Sequence, residues 1–156
     1  MRRGLTAQGQ APAPKGCAVP ASGGRPAPAR GGPALLRATN LTRGTVLGDR
    51  IRPALGFFSR LRGLMFGAAL APGQGLYLAP CRQVHTLFMR CPLDLLYLDA
   101  EGRVVGAVAG LGPWRAGPYV RQARGVLELF AGTIQATGTR PGDIVELAPG
   151  AGHPPG

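Results

Sequence analysis

The sequence predicts a mostly β domain of the α+β kind, a compact small β-barrel or rolled sheet carrying one or two short helices. Three observations lead there. Large apolar residues come in short runs, rich in Leu and Val, of strand rather than helix length. Turn signals separate the runs, among them Pro72-Gly73, the Ala100–Arg103 stretch AEGR and Pro141-Gly142. Helical spacing is confined to two brief stretches.

The elements follow in order. ALLRATNL (34–41) and GTVLGDRI (44–51), joined across Thr42-Arg43, form a hairpin. Pro53 to Arg62 spaces Leu55, Phe58 and Leu61 three apart after a proline, which predicts a short helix weakened by Gly56. GLYLAP (75–80) is a strand. VHTLFM (84–89) and LDLLYLD (93–99) read as strands broken at Cys91-Pro92, because proline lacks the donor of a central ladder. AEGR is a turn in which Gly102 takes positive φ, and RVVGAVAGL (103–111) is the return strand. GVLELF (125–130) and DIVEL (143–147) are strands. Gly132 to Thr139 forms a turn or two of helix ending near Gly138. No internal repeat is visible.

This gives one domain over residues 34–148. Residues 1–33 are rich in Pro, Ala, Gly and Arg with almost no large apolar side chains. They cannot bury enough surface to offset the entropy of ordering, and read as a disordered tail. Residues 149–156, including His153, read as a second short tail.

The chain carries 18 Lys and Arg against 7 Asp and Glu, a formal net charge of +11. Lys15 is the only lysine, and the first acidic residue is Asp49. Arginine over lysine, with abundant Ala, Gly and Pro, is the vocabulary of a GC-rich genome and discounts charge as a functional signal. A nucleic-acid binder gathers its basic residues on one face and adds stacking aromatics. Here the arginines are scattered and aromatics make up 6%. That argues against specific nucleic-acid binding and for weak, salt-sensitive adhesion to polyanions.

Cys17, Cys81 and Cys91 are an odd, irregularly spaced set and make no disulfide framework. They fit a reducing compartment where thiols stay free. Cys81, His85 and Cys91 match no common zinc spacing and lack a fourth ligand, so no metal is expected. No cofactor motif is present: neither a P-loop nor GxSxG nor GxGxxG before a helix. No run approaches the roughly 18 apolar residues of a membrane span. MRRG is followed by LTAQGQAPAPKG rather than an apolar signal core, so the expectation is an unexported, cytoplasmic protein.

Candidate functional residues are polar groups set inside apolar runs. Along VHTLFMR, His85, Leu87 and Met89 share one face, while Val84, Thr86, Phe88 and Arg90 share the other. In LDLLYLD, Asp94 sides with Leu96 and Leu98, against Leu93, Leu95 and Tyr97. Glu128 interrupts the most apolar run and sides with Val126 and Phe130. A buried charge needs a partner or must neutralise. Arg90 is a fork-shaped partner for Glu128 or Asp94. Such a pair can fix strand register, line a ligand pocket or do acid/base work. His85 is a hydrogen-bonded structural residue, a ligand contact or a base. A Cys81/His85 dyad would need a bend at Arg82-Gln83, since extended chain holds the two apart.

Four segments together resemble the family called domain of unknown function 192: SRLRGLMF (59–66), GLYLAPCRQVHTLFMRCPLDLLYLD (75–99), VLELFAG (126–132) and GTRPGDIVEL (138–147). The resemblance runs from Leu35 to Leu147. It implies a compact β-rich fold in a bacterial and archaeal group with no established biochemical activity. It places the family's characteristic polar positions on Arg62, His85, Thr86, Arg90, Asp94 and Glu128, and its turn positions on Gly63, Gly132, Gly142 and Asp143. Many relatives carry a secretion signal, and this chain shows none. Cys91 stands where the family pattern has a bulkier residue.

The sequence thus reads as a small non-enzymatic binding or interaction module. Its polar Arg/His/carboxylate cluster suits an anionic or polyhydroxyl ligand or a protein partner. Two alternatives stand beside it. One is a hydrolase or transferase with His85 as base and a carboxylate orienting it. The other is a structural partner subunit docking through a sheet edge.

Overall fold

The computed structural model describes residues 34–55, 70–87 and 89–150. The expected N-terminal tail, residues 151–156, Arg62 and most of the expected first helix lie outside the described residues; the expected second tail begins too early, because Pro149 still pairs with Leu36 and the Gly150 N–H donates to the Leu35 carbonyl at 2.9 Å. Those described form strands β1 (Leu36–Asn40), β2 (Thr45–Ala54), β3 (Gln74–Leu78), β4 (Leu93–Leu98), β5 (Val104–Leu111), β6 (Gly125–Phe130) and β7 (Val145–Pro149), with helix α1 (Thr133–Thr137) before β7.

The seven strands make one sheet in the order β5-β4-β6-β3-β2-β1-β7. Only β2 and β3 pair in parallel; the other five pairings are antiparallel. The sheet curls into a half-barrel. Its two outermost strands meet at one end, where Arg103 pairs with Ile144. There the Val104 N–H donates to the Asp143 carbonyl and the Gly142 N–H to the Val104 carbonyl, each at 2.8 Å. This is the rolled, mostly β architecture that the short apolar runs predict.

Local chemistry sets the elements. The β4–β5 turn is stapled by Asp99, whose Oδ1 accepts from the Glu101 and Arg103 N–H groups at 3.0 and 2.8 Å. Gly102 sits at φ 80°, as its place in AEGR predicts. Helix α1 stops at Gly138, φ 65°. Pro53 corrects the expected helix start: it lies in β2, opposite Tyr77 of β3. The β1 pairing of β2 reaches only Ile51, opposite Leu36. Pro53 therefore stands beyond β1, where a missing N–H costs no ladder bond.

Strand β4 is buried at every position. On its concave side Leu96 and Leu98 join Leu127, Leu129, Ile51, Val104 and neighbours in one apolar cluster. On the convex side Leu93, Leu95 and Tyr97 join Leu76, Leu78 and Val126 in a second, roofed by Val84, Met89 and Ala123 from the segments flanking β4 and β5. Each fully buried leucine contributes about 1.5–3 kcal/mol, set against the entropy of ordering the chain.

Candidate functional site

The expected strand 84–89 does not form. His85 makes a single bridge to Ala116, and the chain then turns, because the Thr86 carbonyl accepts from both the Met89 and Trp114 N–H groups at 3.1 and 2.9 Å. The Thr86 side chain competes with the ladder as well. Its hydroxyl donates to the Gly112 carbonyl at 2.6 Å and accepts from the Arg115 N–H at 3.0 Å. The Thr86 N–H donates to the Arg115 carbonyl at 2.7 Å. Thr86 is fully buried, so one small side chain holds the whole 112–115 loop from beneath.

That loop contains the backbone's one positive-φ residue other than glycine among those described: Trp114, at φ 58°. Such a conformation costs a bulky residue on the order of 1–3 kcal/mol and persists only where neighbours over-determine it. Trp114 is 61% exposed and Tyr119 60%. His85, bridged to Ala116, and Arg115 are exposed as well. Below this surface lies the Tyr97 hydroxyl. A Cβ at Gly117 would stand 2.6 Å from it, so only glycine lets the 112–117 segment cross there.

Asp94 and Glu128 do not meet. Asp94 pairs with Leu129 and Glu128 with Leu95 across the same two strands, so their side chains leave opposite faces of the sheet. Asp94 has no exposed surface and is saturated by backbone. Its Oδ1 accepts from the Gly110 N–H at 2.8 Å, and its Oδ2 from the Gly132 and Ile134 N–H groups at 3.0 and 2.8 Å. It thereby ties the end of β5 and the start of α1 to β4. Glu128, buried in the convex cluster, has an Oε1 with no hydrogen-bond partner, and the Tyr97 hydroxyl beside it is likewise unpartnered. Burial pushes the Glu128 carboxyl up to about 7. Burial first, then the nearby Cys81 and Glu128, push the Tyr97 phenol up to about 12.

The ion pairs among the described residues are Arg43–Asp143 at 2.6 Å and Arg50–Asp49 at 3.5 Å. The anticipated pairing of Arg90 with Asp94 or Glu128 is not among them; Arg90 is exposed at the end of the segment that begins with His85. Of the six expected positions, then, His85, Thr86 and Arg90 lie on one stretch, Asp94 and Glu128 are separated by the sheet, and Arg62 lies outside the described residues. Nor does Cys81 address His85: its thiol donates to the Gln83 carbonyl at 3.2 Å. Cys81 is not disulfide-bonded.

One polar network escaped the sequence reading. Asn40, fully buried, donates through Nδ2 to Thr139 Oγ1 at 3.0 Å and Asp143 Oδ2 at 2.9 Å. The same Oδ2 accepts from Arg43 Nε at 2.6 Å and from the Arg140 N–H at 3.2 Å. The Asn40 hydrogen bond, ahead of those from Arg43 and Arg140, holds the Asp143 carboxyl below its usual range. The network fastens the β1–β2 hairpin to the turn entering β7. Its members look like ordinary turn residues in sequence, about a hundred positions apart, and only the closure of the sheet joins them.

Among the described residues no helix is long and apolar enough to cross a membrane, and no group of His, Cys, Asp and Glu could hold a metal ion.

Comparison with known proteins agrees with this architecture. A UPF0127 protein, PF1050 of Pyrococcus furiosus, is 33% identical over 113 residues, covering 69% of this chain and 94% of its own. A crystal structure of a protein of unknown function from Novosphingobium aromaticivorans DSM 12444 superposes with a TM-score of 0.65 at 25% identity, covering 77% of this chain and 89% of that one. Another, from Sinorhizobium meliloti 1021 and provisionally labelled a transcription regulator, gives 0.60 at 26% identity, covering 72% and 91%. The family model of DUF192, described only as an uncharacterised ACR, matches residues 39–147. With the match extending from β1 to β7, this chain belongs to the DUF192 family.

Proposed function

We propose that the domain is a non-enzymatic binding module that takes a polyhydroxyl ligand, of the saccharide class, on the surface formed by His85, Trp114, Arg115 and Tyr119. The observation that carries this reading is the display of Trp114. An indole held in the left-handed region, 61% exposed, by a fully buried threonine is preorganised surface rather than core. Exposed aromatic faces stack against the apolar faces of sugar rings, and the imidazole and guanidinium beside them supply hydrogen bonds to hydroxyls. On this reading His85 contacts ligand, Thr86 positions Trp114, and Arg90 borders the surface. Asp94 keeps the strands and α1 in place beneath it.

A hydrolase or transferase using His85 as base draws less support. Among the described residues no carboxylate is paired with the imidazole to orient it.

Trp114 is the only tryptophan in the chain, so its emission reports directly on the surface. The test is a fluorescence titration with neutral oligosaccharides of glucose and of N-acetylglucosamine, followed by calorimetry. The expected result is a saturable spectral change, with affinity falling at least tenfold in Trp114→Ala and in His85→Ala while the melting temperature is kept. Titrations without any saturable response, or with unchanged affinity in both variants, would overturn the reading.

A further inference from the structure

A second surface feature lies away from Trp114 and does not depend on the reading above. After β3 the chain runs through Pro80, Cys81 and Arg82 alongside Ala123 and Arg124, which lead into β6. The two stretches are tied by backbone and side chain. The Cys81 N–H donates to the Arg124 carbonyl at 3.0 Å, the Val120 N–H to the Arg82 carbonyl at 2.9 Å, and Arg82 Nε to the Ala123 carbonyl at 3.3 Å. Between them is a cleft of about 300 Å³ lined by these same five residues, Pro80, Cys81, Arg82, Ala123 and Arg124.

The charge of this cleft is one-sided. The protein has 7 carboxylate side chains, all within the described residues, and none lines the cleft. The ion pairs among the described residues use arginines elsewhere, Arg43 and Arg50. Two arginines thus line one small concavity that has no carboxylate in its lining. Like charges so placed repel, and the arrangement is relieved when an anion enters. Arg82 spends Nε on Ala123 and keeps its terminal nitrogens for an acceptor. Guanidinium forks meet phosphate and carboxylate oxygens through paired hydrogen bonds. Buried Ala123 and exposed Pro80 supply an apolar wall. The volume is at the lower end for ligand sites, which suits a small molecule rather than a chain.

We infer that this cleft binds a small multivalent oxyanion, phosphate- or carboxylate-bearing, clamped between Arg82 and Arg124. Cys81, in the lining, becomes covered when the anion is in place.

The experiment is isothermal titration of the full-length protein at low ionic strength with inorganic phosphate, pyrophosphate and citrate. It is repeated on Arg82→Gln, Arg124→Gln and, as a control for general basicity, Arg37→Gln on the exposed side of β1. The expected result is one-to-one saturable binding of at least one anion, weakened tenfold or more in each cleft variant and unchanged in the control. The same anion slows alkylation of Cys81 by neutral iodoacetamide in the wild-type protein, read peptide by peptide by mass spectrometry. That second measurement decides the matter if a variant does not fold. Phosphate against citrate separates the two oxyanion classes. The inference is overturned if none of the three anions saturates, if the three variants weaken binding equally, or if bound anion leaves Cys81 alkylation unchanged.

Discussion

Asp94 and Glu128 stand on adjacent strands one register position apart, and the sheet lies between their carboxyl groups. One is on the concave side with three backbone N–H donors. The other is on the convex side with an oxygen that has none. The same residue class in neighbouring positions therefore carries opposite energetic signs.

Glu128 should make the fold less stable as pH rises. Its folded pKa, about 7, lies above its ordinary value of 4.5. The folded state keeps the proton longer, so the contribution is full below about 4.5, declines from there to about 7, and is lost above. At about 1.4 kcal/mol per unit the change is on the order of 3–4 kcal/mol. Urea midpoints of wild type minus Glu128→Gln should trace this decline between pH 4.5 and 7. At pH 8 the glutamine variant should be the more stable protein. A flat difference curve would mean that the carboxylate is satisfied in the folded state.

Asp94→Ala should be among the most damaging single changes. It removes a charged acceptor and leaves the Gly110, Gly132 and Ile134 N–H groups without their partner. Each charge-assisted bond contributes about 1.5–3 kcal/mol, and the three are not additive, so a loss of about 3–5 kcal/mol is expected. Chemical denaturation measures it. Asp94→Asn, which keeps an acceptor but cannot serve all three donors, should fall between.

How far was this legible beforehand? The strand runs, the Gly102 turn and the Gly138 helix stop all depend on neighbours in the chain, and each is readable from its own residues. The faces of Asp94 and Glu128 also follow from simple alternation. What alternation could not supply was pairing register, and register decides that the two carboxyls leave opposite faces of adjoining strands. VHTLFM misled because its pattern is strand-like, while the Thr86 hydroxyl and carbonyl are taken by a loop some 26–29 residues away. The Asn40–Asp143 network was invisible for the same reason.

Thr86→Val keeps the shape and burial of the side chain while deleting its hydroxyl. The Arg115 N–H and Gly112 carbonyl lose that partner, at a cost of about 1–3 kcal/mol. The loop should then release Trp114 from its left-handed conformation. Lower steady-state anisotropy of the single tryptophan, in a protein that still unfolds cooperatively, is the expected signature. Unchanged anisotropy would show that Thr86 does not position the indole.

Asp143 governs the acid side. Its folded pKa is depressed, mainly by Asn40 and then by Arg43 and Arg140. Its stabilising contribution is present above the ordinary value of 3.8 and is lost as pH falls through the lower folded value. Asn40→Ala should weaken the acid limb of the stability profile and Asp143→Asn should abolish its own share of it. Both effects are read from thermal melts between pH 2 and 5 against wild type.

The first and last strands are partners. Leu36 faces Pro149 across the β1–β7 ladder, and the Gly150 N–H donates to the Leu35 carbonyl at 2.9 Å. Polypeptide joined at either point therefore departs from one corner of the molecule. A short peptide could splice that corner shut and the chain be reopened at a distant hairpin without disturbing any ladder. Equally, the unit could be grafted into a surface loop of a host protein, hanging from it by a narrow two-stranded stalk with both the indole surface and the arginine cleft left free to face solvent.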